Sequence, residues 1–230
     1  MKKNCLLCFL LFFSCHSALA GESLDSLLNV LDKTIKEADT YVQIKENKLH
    51  ELKKEARKTP PFSVERYNLN NDIYLEYKAY SSDSALHYLN ENMLLARQLN
   101  DKERELKIQL ELSYLLSSIG MYMEAADILN SIDRQTLPSS LLGHYYTCYE
   151  HVYFEAGAAQ PRYKMFASRY VKLSHAYRDS MQITLDPSSA TYLWLRETQL
   201  REAGKYDEAL EFSDRRLAES SFGTPQYALV

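Results

Sequence analysis

His144, Cys148, His151 and Glu155 are the residues of this 230-residue chain whose types and spacing come nearest to chemistry. Steps of four, three and four put them on one face of a helix. Adjacent members could each give a metal two ligands, as in helical i, i+4 sites. The whole stripe cannot hold one ion, because about eleven residues of helix rise about 16 Å. Neither a paired CxxC nor an HExxH spacing accompanies them. A lone cysteine and two histidines among tyrosines read as packing at a helix seam, with Cys acting as a small hydrophobe. No metal and no cofactor are expected.

Other reaction signatures are missing from the sequence. It contains no G-x-S-x-G, no S-x-x-K and no glycine-rich phosphate loop after a strand pattern. Paired acids such as Glu103 with Glu105, or Asp207 with Glu208, lie on charged helical stretches and read as solvated faces. No catalytic residue is assigned, and the chain is read as a non-enzyme.

The elements that must position any site are helices. Six Gly and six Pro leave few tight turns for a sandwich or barrel. The 18 tyrosines suit partly wet helix seams, having a large apolar ring with a polar tip. A spaced echo organises the chain: Gly120-Met121-Tyr122-Met123-Glu124-Ala125 and Gly204-Lys205-Tyr206-Asp207-Glu208-Ala209 both read G-x-Y-x-E-A. Ala167 falls halfway between Ala125 and Ala209, and Ala85 precedes Ala125 by a similar interval. A fixed period marks a solenoid, whose units must stack to bury their apolar faces. Four helix pairs follow from the pattern: 63–79 with 83–99, 102–119 with 122–133, 139–156 with 161–182, and 188–203 with 206–219. Pro138 and Pro187 separate pairs, Gly120 and Gly204 turn within them, and Asp83-Ser84 offers a cap.

Before the pairs, Leu24, Leu28, Leu31, Ile35, Ala38, Val42, Leu49, Leu52 and Ala56 alternate at steps of four and three, with Lys45 the one break. This predicts one long helix over 24–57. It serves either as an N-terminal cap on the repeats or as a coiled-coil seam for self-association. Thr59-Pro60-Pro61 ends it.

On these residues the segments 105–138 and 190–221 resemble tetratricopeptide repeats. Gly120, Tyr122 and Ala125 match that family's inter-helix glycine, tyrosine and second-helix alanine, as do Gly204, Tyr206 and Ala209; Pro138 lies near its terminal proline. Ser113 and Glu197 stand where the family has a first-helix glycine, and the period exceeds the family's. The resemblance implies an all-α, right-handed superhelical array of antiparallel helix pairs whose first helices line a groove. Carrying that register over places Lys107, Leu110, Tyr114, Ser117, Thr191, Trp194, Thr198 and Arg201 in the groove, as a surface for a protein or peptide ligand. Trp and Arg are enriched where binding energy concentrates. Interhelical packing is the competing role for Trp194.

The wider arrangement also resembles an exported Gram-negative family of unknown function. Leu31-Asp32-Lys33-Thr34-Ile35, Asp83-Ser84-Ala85-Leu86, Gly120-Met121-Tyr122 and Tyr177-Arg178-Asp179-Ser180 carry that likeness. Its longer members have further repeats, a transmembrane helix and a cytoplasmic coiled segment, and some are labelled transcriptional regulators. The resemblance implies the sensory or interaction half of a membrane-spanning signalling protein.

Lys2 and Lys3, the apolar run Cys5 to Phe13 and Ala18-Leu19-Ala20 read as a secretory leader cleaved after Ala20 and directing the chain to the periplasm. Cys15 as a lipidated N-terminus is the rival reading. Losing Lys2 and Lys3 leaves 25 basic against 31 acidic residues, a formal charge of −6, which argues against nucleic-acid binding. Cys148 then has no partner for an intramolecular disulfide. The expected organisation is a leader over 1–20, a long helix within 21–61, helix pairs over 62–222, and the start of a further, truncated helix over 223–230, so that membrane contact would come through a missing C-terminal part. A structural dimer, an enzyme and a glycan-binding subunit of an uptake system are the alternatives to a recognition scaffold.

Overall fold

A computed structural model describes residues 25–26 and 28–220. The expected leader, its rival Cys15 and the segment 223–230 lie outside the described residues. Every described element is helical, and the chain divides into two units, residues 1–55 and 56–230.

In the first unit residues 28–36 are helical, and α1 (Ala38–Lys58) begins after a turn at Glu37. The periodicity predicts one unbroken helix here. The break has a local cause: the Glu37 amide is shared between the carbonyls of Lys33 (3.0 Å) and Thr34 (3.2 Å). The Thr34 hydroxyl also bonds back to the Val30 carbonyl at 2.9 Å, a contact that bends helices. Leu28, Leu31, Ile35 and Val42, the apolar stripe of this unit, are between 46 and 62 % exposed.

The second unit is a run of antiparallel pairs: α2 (Val64–Tyr77) with α3 (Ser82–Gln98), α4 (Lys102–Ser118) with α5 (Tyr122–Ser131), α6 (Ser139–Ala158) with α7 (Lys164–Thr184), and α8 (Ala190–Glu202) with α9 (Tyr206–Glu219). Each helix packs on the next, and α4 also packs on α6. Side-chain oxygens of Ser63, Ser81, Asp101 and Ser189 accept from amides in the first turns of α2, α3, α4 and α8. At α3 the cap is Ser81, two residues before Asp83, and Asp83-Ser84 lie inside the helix.

Three helices end alike. Asn100, Gly120 and Gly204 have positive φ (52°, 89° and 73°), and the next amide reaches back 2.9 Å to the carbonyls of Ala96, Leu116 and Leu200. These are Schellman closures, which turn the chain at once and satisfy carbonyls that the helix end would orphan. Small residues then let the second helix approach. Ala85, Ala125 and Ala209 are buried and Ala167 is half-buried.

Both departures from the tetratricopeptide pattern have a structural use. Ser113, fully buried, donates to the Ala125 carbonyl at 3.0 Å and so ties α4 to α5. Glu197 is buried against α9, where it meets Arg216. The tyrosines fill seams: Tyr67, Tyr74, Tyr77, Tyr145, Tyr146 and Tyr149 are buried, and Tyr149 stacks on Tyr177 of α7 at 4.6 Å.

A buried charge network joins the third pair to the fourth. Arg178 of α7 donates to Glu150 of α6 and to Glu202 of α8, both at 2.8 Å, and Ser174 donates to Glu150 at 3.0 Å. Arg178 and Glu150 are only 4 and 3 % exposed. Removing one partner strands the other charge, which costs more than the pair contributes. Arg178→Met should lower unfolding free energy by about 3–5 kcal/mol in urea titrations, whereas Arg178→Met with Glu150→Leu should recover much of the loss.

Candidate functional site

The first helices of the pairs carry a polar strip centred on Glu111. Its position at mid-α4 sets it between Lys78, at the C-terminal end of α2, and His144, one turn into α6. Its Oε2 accepts from the Tyr74 hydroxyl at 2.6 Å and the Lys78 ammonium at 3.1 Å, while Oε1 lies 3.6 Å from His144 Nε2. Burial alone would raise the Glu111 pKa. Lys78, His144 and the Tyr74 hydroxyl outweigh it and hold the carboxyl below its ordinary value. Burial and the adjacent Glu111 charge push the Tyr74 phenol up.

One turn further along α4, the half-buried Tyr114 ring carries the Lys78 ammonium 4.3 Å from its centroid. The His151 imidazole stacks on the same ring at 4.0 Å and 10°. This is a cation–π contact and an offset ring pair built on one tyrosine. Burial first, and the Lys78 charge second, lower the His151 pKa to about 4, so the ring is neutral at pH 7. His144 is lowered by burial, with Lys78 and Lys107 adding to it against Glu111. Cys148 is fully buried, its thiol bonds the Leu110 carbonyl at 3.3 Å, and burial raises its pKa well above the usual thiol value. It is not a nucleophile.

Ser118, His151 and Glu155 follow one another in the order of an acyl-transfer triad. The hydrogen bonds do not support that chemistry. Ser118 Oγ donates to the Tyr114 carbonyl at 2.9 Å, so the 2.9 Å contact with His151 Nε2 is satisfied by the imidazole donating. Glu155 stands 4.0 Å from Nδ1, beyond hydrogen-bond reach. Among the described residues no three His, Cys, Asp or Glu side chains converge as a metal set. The stripe of His144, Cys148, His151 and Glu155 is the α6 side of a helix seam whose polar edge faces the strip. The strip offers an exposed cation, Lys107, beside half-buried Lys78, the neutral His151 imidazole, the His144 ring next to Glu111, and a tyrosine ring under the Lys78 charge.

The residues placed in the groove from sequence divide by burial. Lys107 and Arg201 are exposed, and Tyr114, Thr191 and Trp194 are half-buried. Leu110, Ser117 and Thr198 are buried, facing into the helix packing. Trp194 packs against the central core, and Arg201 reaches Glu197 at 3.9 Å. On α4 the accessible line runs Lys107, Glu111, Tyr114, Ser118, one residue beyond the expected register at two positions. Glu111, Lys78 and Tyr74 were not anticipated. A charge among apolar neighbours, Leu110-Glu111-Leu112, was the available signal for Glu111. At one end of the strip Asp101, Glu103, Arg104, Lys107 and Leu141 line an open hollow of about 360 Å³.

The family model described as the SusR N-terminal TPR domain matches residues 35–230. The chain belongs to this family. A search of curated proteins finds no match. A search of solved structures finds none either. Membership agrees with the paired helices and with the left-handed closures at Gly120 and Gly204. Among the described residues no helix is long and apolar enough to cross a membrane.

The His151 shift has a defined sign. An imidazole whose pKa falls on folding binds fewer protons than in the unfolded chain, so stability declines as pH falls from about 6.5 towards 4. His151→Phe keeps a ring on Tyr114 and removes this proton site. Its melting temperature should fall less steeply over that pH window than the parent's; parallel curves would contradict the buried neutral imidazole.

Proposed function

We propose that this protein is a non-enzymatic recognition scaffold whose first-helix face binds a protein or peptide segment, and that it forms the periplasmic sensory or interaction half of a membrane-spanning regulator. Tetratricopeptide-type domains generally act as protein-interaction scaffolds, and membership of the SusR N-terminal TPR domain family supports the regulatory setting. The observation that carries the binding role is the strip itself. Lys78, Glu111, Tyr114, His144 and His151 come from three helices and remain partly open to solvent. Unlike the Arg178–Glu150 pair, which is closed off from solvent, these polar groups stay accessible at the edge of their seam. Lys107, Thr191, Trp194 and Arg201 extend the accessible face along α4 and α8. Leu110, Ser117 and Thr198 serve by packing beneath it.

Peptides selected from a displayed library on the immobilised protein test this reading. Lys107→Glu and Tyr114→Ala should each weaken the selected peptides by about tenfold, about 1.4 kcal/mol. Ile183→Ser, on α7, should leave binding unchanged. Peptides that bind all three variants equally would remove the groove assignment.

One observation favours a second role, self-association through the N-terminal unit. Leu28, Leu31, Ile35 and Val42 form a heptad-spaced stripe that stays largely exposed. Leu31→Asp with Ile35→Asp should abolish any concentration-dependent rise in mass measured by light scattering. A parent that is monomeric at all concentrations would dismiss this role.

A further inference from the structure

The outer face of α7 has a chemistry unlike the rest of the molecule. From Ala156 to Arg178 the sequence contains no Asp or Glu, in a chain whose formal charge is −4. Arg162 and Lys164 stand at the entry to the helix, and Arg169 and Lys172 follow on its surface; all four are exposed. Steps of four, three, four, three and four align Met165, Arg169, Lys172, Ala176, Asp179 and Ile183 on one side. Met165 is 75 % and Ile183 85 % exposed. Exposed Phe166 flanks them.

Two acids of the neighbouring helices are turned inward. Glu150 and Glu202 both hold Arg178. Asp179 is the first acid on α7 itself. Four exposed cations, Arg162, Lys164, Arg169 and Lys172, against exposed Asp179 leave a local excess of positive charge, mixed with large apolar groups that point into water.

We propose that this face docks on an anionic lipid bilayer. A groove that encloses a peptide takes its walls from more than one element. The hollow on this face, about 460 Å³, is lined by Met165, Ser168, Arg169, Lys172 and Leu173, all from a single convex helix. A bilayer asks only for protruding apolar groups that can enter the headgroup layer and for cations that stay at its surface. Lys and Arg meet both needs, since their stems lie along apolar matter while their heads reach anionic phosphates. In this arrangement α7 would lie along the membrane plane. The contact is independent of the groove reading.

Co-sedimentation of the full chain with vesicles tests the proposal, comparing phosphatidylcholine alone with phosphatidylcholine containing about one-third phosphatidylglycerol. The parent should pellet with the anionic vesicles and be released at high salt. Arg169→Glu with Lys172→Glu should reduce that partitioning by at least about tenfold, and Met165→Ser should reduce it less. Both variants keep the same N-terminus, so a difference between parent and variant comes from α7; unchanged far-UV circular dichroism shows that they are folded. Equal pelleting of parent and charge-reversed protein, or of the parent with both vesicle types, would overturn the proposal. Retention on immobilised polyglutamate without vesicle binding would also overturn it, assigning the face to an acidic polypeptide.

Discussion

A largely buried carboxylate must find its counter-charge and polar partners within the fold, and Glu111 finds them on two different helices. Lys78 and Tyr74 approach from α2 and His144 from α6. The interaction thus fixes three successive first helices relative to one another. It also decides the character of the face, because the Lys78 ammonium held there lies over Tyr114 and depresses His151. Without Glu111, Lys78 would be a partly buried cation with no counter-charge, a costly condition in a low-dielectric seam.

This geometry depends on how closely paired helices pack. The left-handed residues Gly120 and Gly204 end α4 and α8 at once, and the buried Ala125 and Ala209 let α5 and α9 lie against them. The first helices can then stand side by side with polar residues on their shared edge. The Arg178 network plays the corresponding part at the last junction, where α8 meets α7 over a smaller contact.

The all-helical array was legible because its determinants are local. A glycine that must adopt positive φ and an alanine that must fit a crossing leave marks at fixed positions. The buried role of Cys148 was legible for the same reason. The site was less so. Whether Leu110 or Glu111 faces the groove is a rotation of one residue, and a helix shifted by that much keeps much the same apolar pattern. The pairing of Glu111 with Lys78 and Tyr74 spans more than thirty positions in sequence, and no local pattern records it. The turn at Glu37 was hidden too, since heptad spacing continues through it while the Thr34 hydroxyl competes for the backbone.

The six histidines can report whether the strip around Glu111 is the binding face. His144 and His151 lie in it, whereas His87 on α3 and His175 on α7 are exposed on second helices. Imidazole proton resonances, assigned by substitution and followed during titration with a selected peptide, report on both faces at once. Saturable shifts of His144 and His151 are expected while His87 and His175 stay in place. Shifts confined to His87 or His175, with His144 and His151 unmoved at saturation, would contradict this assignment of the binding face.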